Sequence, residues 1–148
     1  MKTIGVGVIG TAFMGKAHSI AYAAAGSVFG DGLRPSLEMI CDYNSERAEV
    51  MRTEMGFSRC TSVWMDVVND PKVQLISVCV PNSLHKEISV AALKLGKHVW
   101  CEKPMSTNLA DSETMLAAAQ ASNAQTILGY NYTQNPAVQS ARELIKEG

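Results

Sequence analysis

The sequence predicts a doubly wound α/β fold, a parallel sheet with helices on both faces. Three observations carry this. Short apolar runs alternate with helical patterns along the whole chain, strand then helix, six times over. The run LISVCV (75–80) is nearly uninterrupted apolar, as a strand covered on both faces must be. A glycine-rich stretch, IGVGVIGTAFMGKAHS, joins the first strand to the first helix. Right-handed crossovers then favour the strand order 3-2-1-4-5-6.

The elements follow in order. TIGVGVIG (3–10) is the first strand, and residues 14–25 form the first helix. A Gly-, Pro- and Ser-rich loop spans 26–36. LEMICD (37–42) is the second strand, and 45–55 is a polar-faced helix with Asn44 as its N-cap. A short strand at 58–60 and a helix at 63–69 precede Asp70-Pro71, which stops that helix. The fourth strand is 75–80, and the amphipathic helix 84–95 is closed by Gly96. HVWCE (98–102) is the fifth strand. Asn108 caps a helix over 109–121, with Asp111 at the capping-box position. The sixth strand is 126–132, and Pro136 opens the last helix at the position where proline is tolerated. Residues 1–132 thus form the domain and 133–148 a linking helix.

Composition bounds the function. The 148 residues are 47% hydrophobic and 18% charged, enough apolar material for one domain with a core. The net charge of −1, with no basic run, argues against a nucleic-acid surface. No apolar stretch reaches the ~18 residues of a membrane span, and the short apolar N-terminus lacks a signal-peptide cleavage pattern. A cytoplasmic protein is expected. Cys41, Cys60, Cys79 and Cys101 form no C-x-x-C pair, so reduced thiols are expected and no metal site. Met14, Met39, Met51, Met55, Met65 and Met115 read as core filling, Trp64 and Trp100 as core or interface, and His98 as structural. His18 is expected to pack near the loop.

Two glycine patterns overlap at the N-terminus. Gly5-Val6-Gly7-Val8-Ile9-Gly10 is a literal G-x-G-x-x-G; Gly10-Thr11-Ala12-Phe13-Met14-Gly15 has alanine at the middle position. A phosphate loop must follow a strand and open a helix, which only the second does. Gly10 then makes the tight turn and Gly15 lets the helix approach the strand. The helix N-terminus offers free N–H groups and the positive end of its dipole to a pyrophosphate. Asp42 closes the second strand, where a carboxylate accepts from the adenosine ribose hydroxyls. Its distance from the loop exceeds the usual ~20 residues because the 26–36 loop lengthens the crossover. A carboxylate repels a 2′-phosphate, which favours NAD, although Arg47 lies near enough to leave NADP possible.

Two further strand ends read VPNSLH and CEKPMSTN. Together with GTAFMGKAH, CDYN and GYNYTQNP, they resemble the glucose-fructose oxidoreductase, inositol dehydrogenase and rhizopine catabolism family over essentially the whole chain. The resemblance implies a Rossmann fold with an NAD(P) cofactor. The implied reaction is hydride transfer at an alcohol carbon of a sugar or inositol-like substrate. Lys103 matches the lysine that stands between nicotinamide and substrate, where an ammonium stabilises charge developing on oxygen or joins a proton relay. A cis Lys103–Pro104 peptide is implied. Pro81, Asn82 and Glu102 match the cofactor side of the strand ends. His85 matches a histidine that either lines the nicotinamide side or only packs at its helix start. The family continues into a second domain with the substrate pocket, so this chain alone is expected to bind NAD without turnover and to self-associate as a homo-oligomer. A non-catalytic dinucleotide sensor is the alternative; an S-adenosylmethionine domain shares the glycine loop but not the Glu-Lys-Pro motif.

Overall fold

The computed structural model describes residues 2–30 and 32–148. Six strands form one parallel sheet: β1 (Thr3–Ile9), β2 (Arg34–Cys41), β3 (Arg59–Thr61), β4 (Leu75–Val78), β5 (His98–Cys101) and β6 (Thr126–Leu128). Their order is β3-β2-β1-β4-β5-β6, and every pairing is parallel. The helices are α1 (Phe13–Phe29), α2 (Ser45–Met55), α3 (Trp64–Asn69), α4 (His85–Lys94), α5 (Leu109–Ala121) and α6 (Pro136–Glu147).

Strand side chains alternate between two cores, as a sheet covered on both faces requires. Val6 and Val8 of β1, Ile40 of β2 and Trp100 of β5 point into one core, with Tyr22 of α1 and Met51 of α2. Ile9, Met39, Cys41, Ile76, Val78, Val99 and Cys101 point into the other, under α3, α4 and α5. Burying each such aliphatic side chain contributes about 1.5–3 kcal/mol. Met39, Met51 and Met115 are buried as expected, but Met65 is 43% exposed because α3 is short and turns that residue outward. The four cysteines are free, and Cys60 is only half-buried.

The glycines of the literal pattern serve this packing. A side-chain carbon on Gly7 would stand 2.4 Å from Val67 Cγ1, and one on Gly5 would stand 1.8 Å from the Lys72 carbonyl oxygen. Both positions are glycine so that the α3 region can close on β1.

Some predicted boundaries shift. The loop expected over 26–36 is shorter, since α1 continues to Phe29 and stops at Gly30, whose φ is +73°. Asp31, within that predicted loop, lies outside the described residues. Strand β2 begins at Arg34 and takes in Pro35. The Arg34 N–H donates to Lys2, so Pro35 faces the opposite side. There β3 pairs only with Met39–Cys41, and no ladder bond is lost. Strands β4 and β6 end sooner than predicted, because the chain turns into 3-10 segments at Asn82–Leu84 and Asn131–Gln134. The predicted caps Asn44 and Asn108 each accept from an N–H in their helix's first turn, and Asn135 does the same ahead of α6.

Candidate cofactor site

The sheet order places β2, β1, β4 and β5 side by side, so their carboxyl ends converge where the order reverses between β1 and β4. Gly10 leaves β1 with φ +105°, a conformation open to glycine. A side-chain carbon there would stand 2.3 Å from the Cys79 carbonyl oxygen. A side-chain carbon on Gly15 would stand 1.8 Å from the Gly10 carbonyl oxygen. Gly10 therefore makes the turn and Gly15 admits the helix. Ala12 between them has φ −68° and ψ −170°, an extended conformation any residue adopts. The missing middle glycine thus costs the loop no backbone strain.

Helix α1 starts without a side-chain cap and without an acid in its first turn. Its first N–H groups thus have no side-chain acceptor. Asp42, 7% exposed, stands at the end of β2 beside this turn. Its Oδ2 accepts from the Thr11 N–H at 3.2 Å and from the Thr11 hydroxyl. Its Oδ1 accepts from the Asn44 N–H at 3.0 Å. Burial pushes the Asp42 carboxyl up, but the Thr11 and Asn44 hydrogen bonds and the nearby Arg47 charge outweigh it and hold it below the ordinary value.

A cleft of about 220 Å³ runs along these strand ends, lined by Gly10, Thr11, Ala12, Asp42, Arg47 and Pro81 among others. Tyr43, Ser62 and Trp64 complete its β2–α3 wall. Those three were missed as site residues in the sequence. Trp64 was read as core or interface, yet its place after β3 puts it beside the strand end that carries Asp42.

On the other side of α1 lies a second cavity of about 210 Å³, bounded by Met14, His18, Tyr22, Trp100, Glu102 and Gly129. Glu102, 6% exposed, turns into this space. His18 bridges it to the sheet, with Nε2 2.9 Å from Glu102 Oε1 and Nδ1 3.0 Å from Ser77 Oγ. The Tyr22 hydroxyl lies 2.8 Å from the same Ser77 Oγ, and burial pushes Tyr22 up to about 12.

Phe13, Asn82 and Lys103 are exposed, and Lys103 has no hydrogen-bond or ion-pair partner among the described residues. The Lys103–Pro104 peptide is cis. His85 departs from the reading that placed it on the nicotinamide side. It is fully buried, its Nδ1 2.9 Å from the Pro104 carbonyl oxygen and its Nε2 2.9 Å from the Val80 carbonyl oxygen. Packed between two loops, it has no face left for a ligand. Among the described residues no group of His, Cys, Asp and Glu could hold a metal ion, and no helix is long and apolar enough to cross a membrane.

The same turn, strand ends and helix are matched by a family model described as an oxidoreductase family with an NAD-binding Rossmann fold, over residues 4–130. The chain belongs to this family. It is 38% identical over 149 residues to a levoglucosan dehydrogenase of Pseudarthrobacter phenanthrenivorans, covering 100% of this chain and 38% of that relative. It is 28% identical over 153 residues to the NADP(+) scyllo-inositol 2-dehydrogenase of Bacillus subtilis, covering 100% of this chain and 39% of that one. Among solved structures, a levoglucosan dehydrogenase in complex with NADH and levoglucosan superposes with a TM-score of 0.92 at 38% identity, over 99% of this chain and 40% of that one. The chain of this NAD-binding oxidoreductase family thus spans about 40% of the length of that solved relative.

Proposed function

We propose that the chain is the NAD(H)-binding part of a dehydrogenase acting on an alcohol carbon of a sugar or inositol-like substrate. The observation that carries this is the uncapped start of α1 seated beside Asp42. Residues Gly10–Gly15 would hold the pyrophosphate, with Gly10 and Gly15 allowing the close approach and the N–H groups of Phe13, Met14 and Gly15 aimed at it. Asp42 would accept from the ribose hydroxyls, and as a carboxylate it disfavours a 2′-phosphate. Arg47, exposed at the rim, leaves NADP possible. Pro81 and Asn82 would flank the nicotinamide half. Glu102 supports the strand end from behind, through His18.

Bound there, nicotinamide supplies the hydride acceptor or donor. Lys103, exposed at the end of β5, would donate to the substrate oxygen as charge develops on it. Helix α6 would link residues 1–132 to a substrate domain. Its exposed Val138, Leu144 and Ile145 suit a helix that packs on something further, and the 40% coverage of that solved relative supports the same reading. A cytoplasmic homo-oligomer completes the proposal.

Titration of the chain with NADH, NADPH and S-adenosylmethionine tests the cofactor. NADH should bind, and Asp42→Ala should weaken it by at least about tenfold while narrowing the gap to NADPH. Binding of S-adenosylmethionine without NADH would overturn the reading. Lys103→Ala in the complete polypeptide should abolish turnover while NADH still binds, more weakly; intact turnover would overturn the role given to Lys103, and a parent without turnover would leave a dinucleotide sensor.

A further inference from the structure

We propose that His18 is a positioning residue for Lys103, acting through Glu102. The inference rests on the NAD(H) reading above and adds a residue to it. Four buried polar groups form one chain: the Tyr22 hydroxyl, Ser77 Oγ, the His18 ring and Glu102 Oε1, at 2.8, 3.0 and 2.9 Å in turn. With an ionised Glu102 and a neutral imidazole, one assignment of protons satisfies all four. The Tyr22 O–H donates to Ser77, the Ser77 O–H donates to His18 Nδ1, and the His18 Nε2–H donates to Glu102. Every donor then points toward the carboxylate. The elements joined are α1, which carries the glycine turn, β4, and the end of β5, where Lys103 follows Glu102 directly.

The chain after β6 is shaped for Glu102 as well. A side-chain carbon on Gly129 would stand 2.4 Å from Glu102 Oε1 and 2.7 Å from its Cδ. His18 therefore holds the carboxylate and Gly129 leaves room for it, while the Trp100 ring packs tilted against His18, with centroids 4.6 Å apart and planes at 58°. Among the described residues Lys103 has no hydrogen-bond or ion-pair partner of its own. Its place relative to the glycine turn is set by the neighbour that does. Without the His18 donor, Glu102 would be a buried carboxylate lacking its partner, which is costly. It would turn outward, and the Lys103 ammonium is the adjacent cation to which it would turn.

The test compares two ligands on the chain. ADP-ribose reports the pyrophosphate and ribose seats, and NADH reports those plus the nicotinamide end beside Lys103. His18→Leu should weaken NADH about tenfold, the scale of one charge-assisted hydrogen bond, and leave ADP-ribose within about twofold. His18→Gln, whose Nε2 can still donate to Glu102, should restore NADH to within about threefold of the parent. Equal NADH affinity in His18→Leu, or equal loss of both ligands, would overturn the proposal. If His18→Leu fails to fold, Gly129→Ala replaces it: it displaces Glu102 and should lose NADH but not ADP-ribose. Unchanged NADH affinity there would also overturn the proposal. If the parent chain binds neither ligand, the NAD(H) reading itself fails, an outcome separate from these.

Discussion

The Thr11 hydroxyl and the Thr11 N–H both donate to Asp42 Oδ2. The turn that would seat a pyrophosphate and the acid that would seat a ribose are therefore one hydrogen-bonded unit. Thr11 orients the carboxylate before any ligand arrives, so binding loses less conformational entropy.

Thr11→Val should weaken NADH by about three- to tenfold, measured by fluorescence titration, since one hydrogen bond to a charged group is removed. The same change bears on acid stability. Asp42 is held below the 3.8 of a free aspartate, so the unfolded chain binds that proton more readily. The stability it contributes is present above pH 3.8 and is lost as pH falls through the lower folded value. Thr11→Val should make the loss of stability on acidification in this window shallower, read from urea midpoints across it.

Ala12→Asp should separate stability from binding. An aspartate at the N-cap accepts from the free N–H groups of α1 and should stabilise the ligand-free chain by about 0.5–2 kcal/mol. It also fills the anion seat with a carboxylate. NADH affinity should fall by at least about a hundredfold. A raised melting temperature with unchanged NADH affinity would mean that the anion seat lies elsewhere. Ala12→Gly, by contrast, should change NADH affinity by less than about twofold, because the Ala12 backbone is already unstrained.

The two glycine patterns should respond differently. Gly7→Ala crowds Val67 and should cost about 1–3 kcal/mol of stability, while the folded protein binds NADH as before. Gly15→Ala drives a methyl at the Gly10 carbonyl and should damage both stability and NADH affinity. Denaturation midpoints and titrations on the same samples distinguish the two.

Much of this was legible in the chain itself. Alternating apolar runs and helical patterns determined the sheet order, since right-handed crossovers leave few ways to wind such a chain. Asn44 and Asn108 announced their helices because capping is local chemistry. The choice of Gly10–Gly15 over Gly5–Gly10 was also local, because a phosphate turn needs a strand before it and a helix after it. The role of Gly5 and Gly7 was not local. It depends on Lys72 and Val67, more than fifty residues away, which only the folded sheet brings against β1. The same holds for His85 and His18. The resemblance left His85 either on the nicotinamide side or packed at its helix start, and His18 was expected to pack near the loop; burial between two carbonyls removed the first from the cleft. A chain from Tyr22 through Ser77 tied the second to Glu102. The positions of hydrogen-bonding partners across strands are set by packing, and no spacing in the sequence encodes them. What the residues determined alone was the scaffold and the glycine turn between β1 and α1; what the tertiary structure decided was which buried polar groups meet behind Lys103.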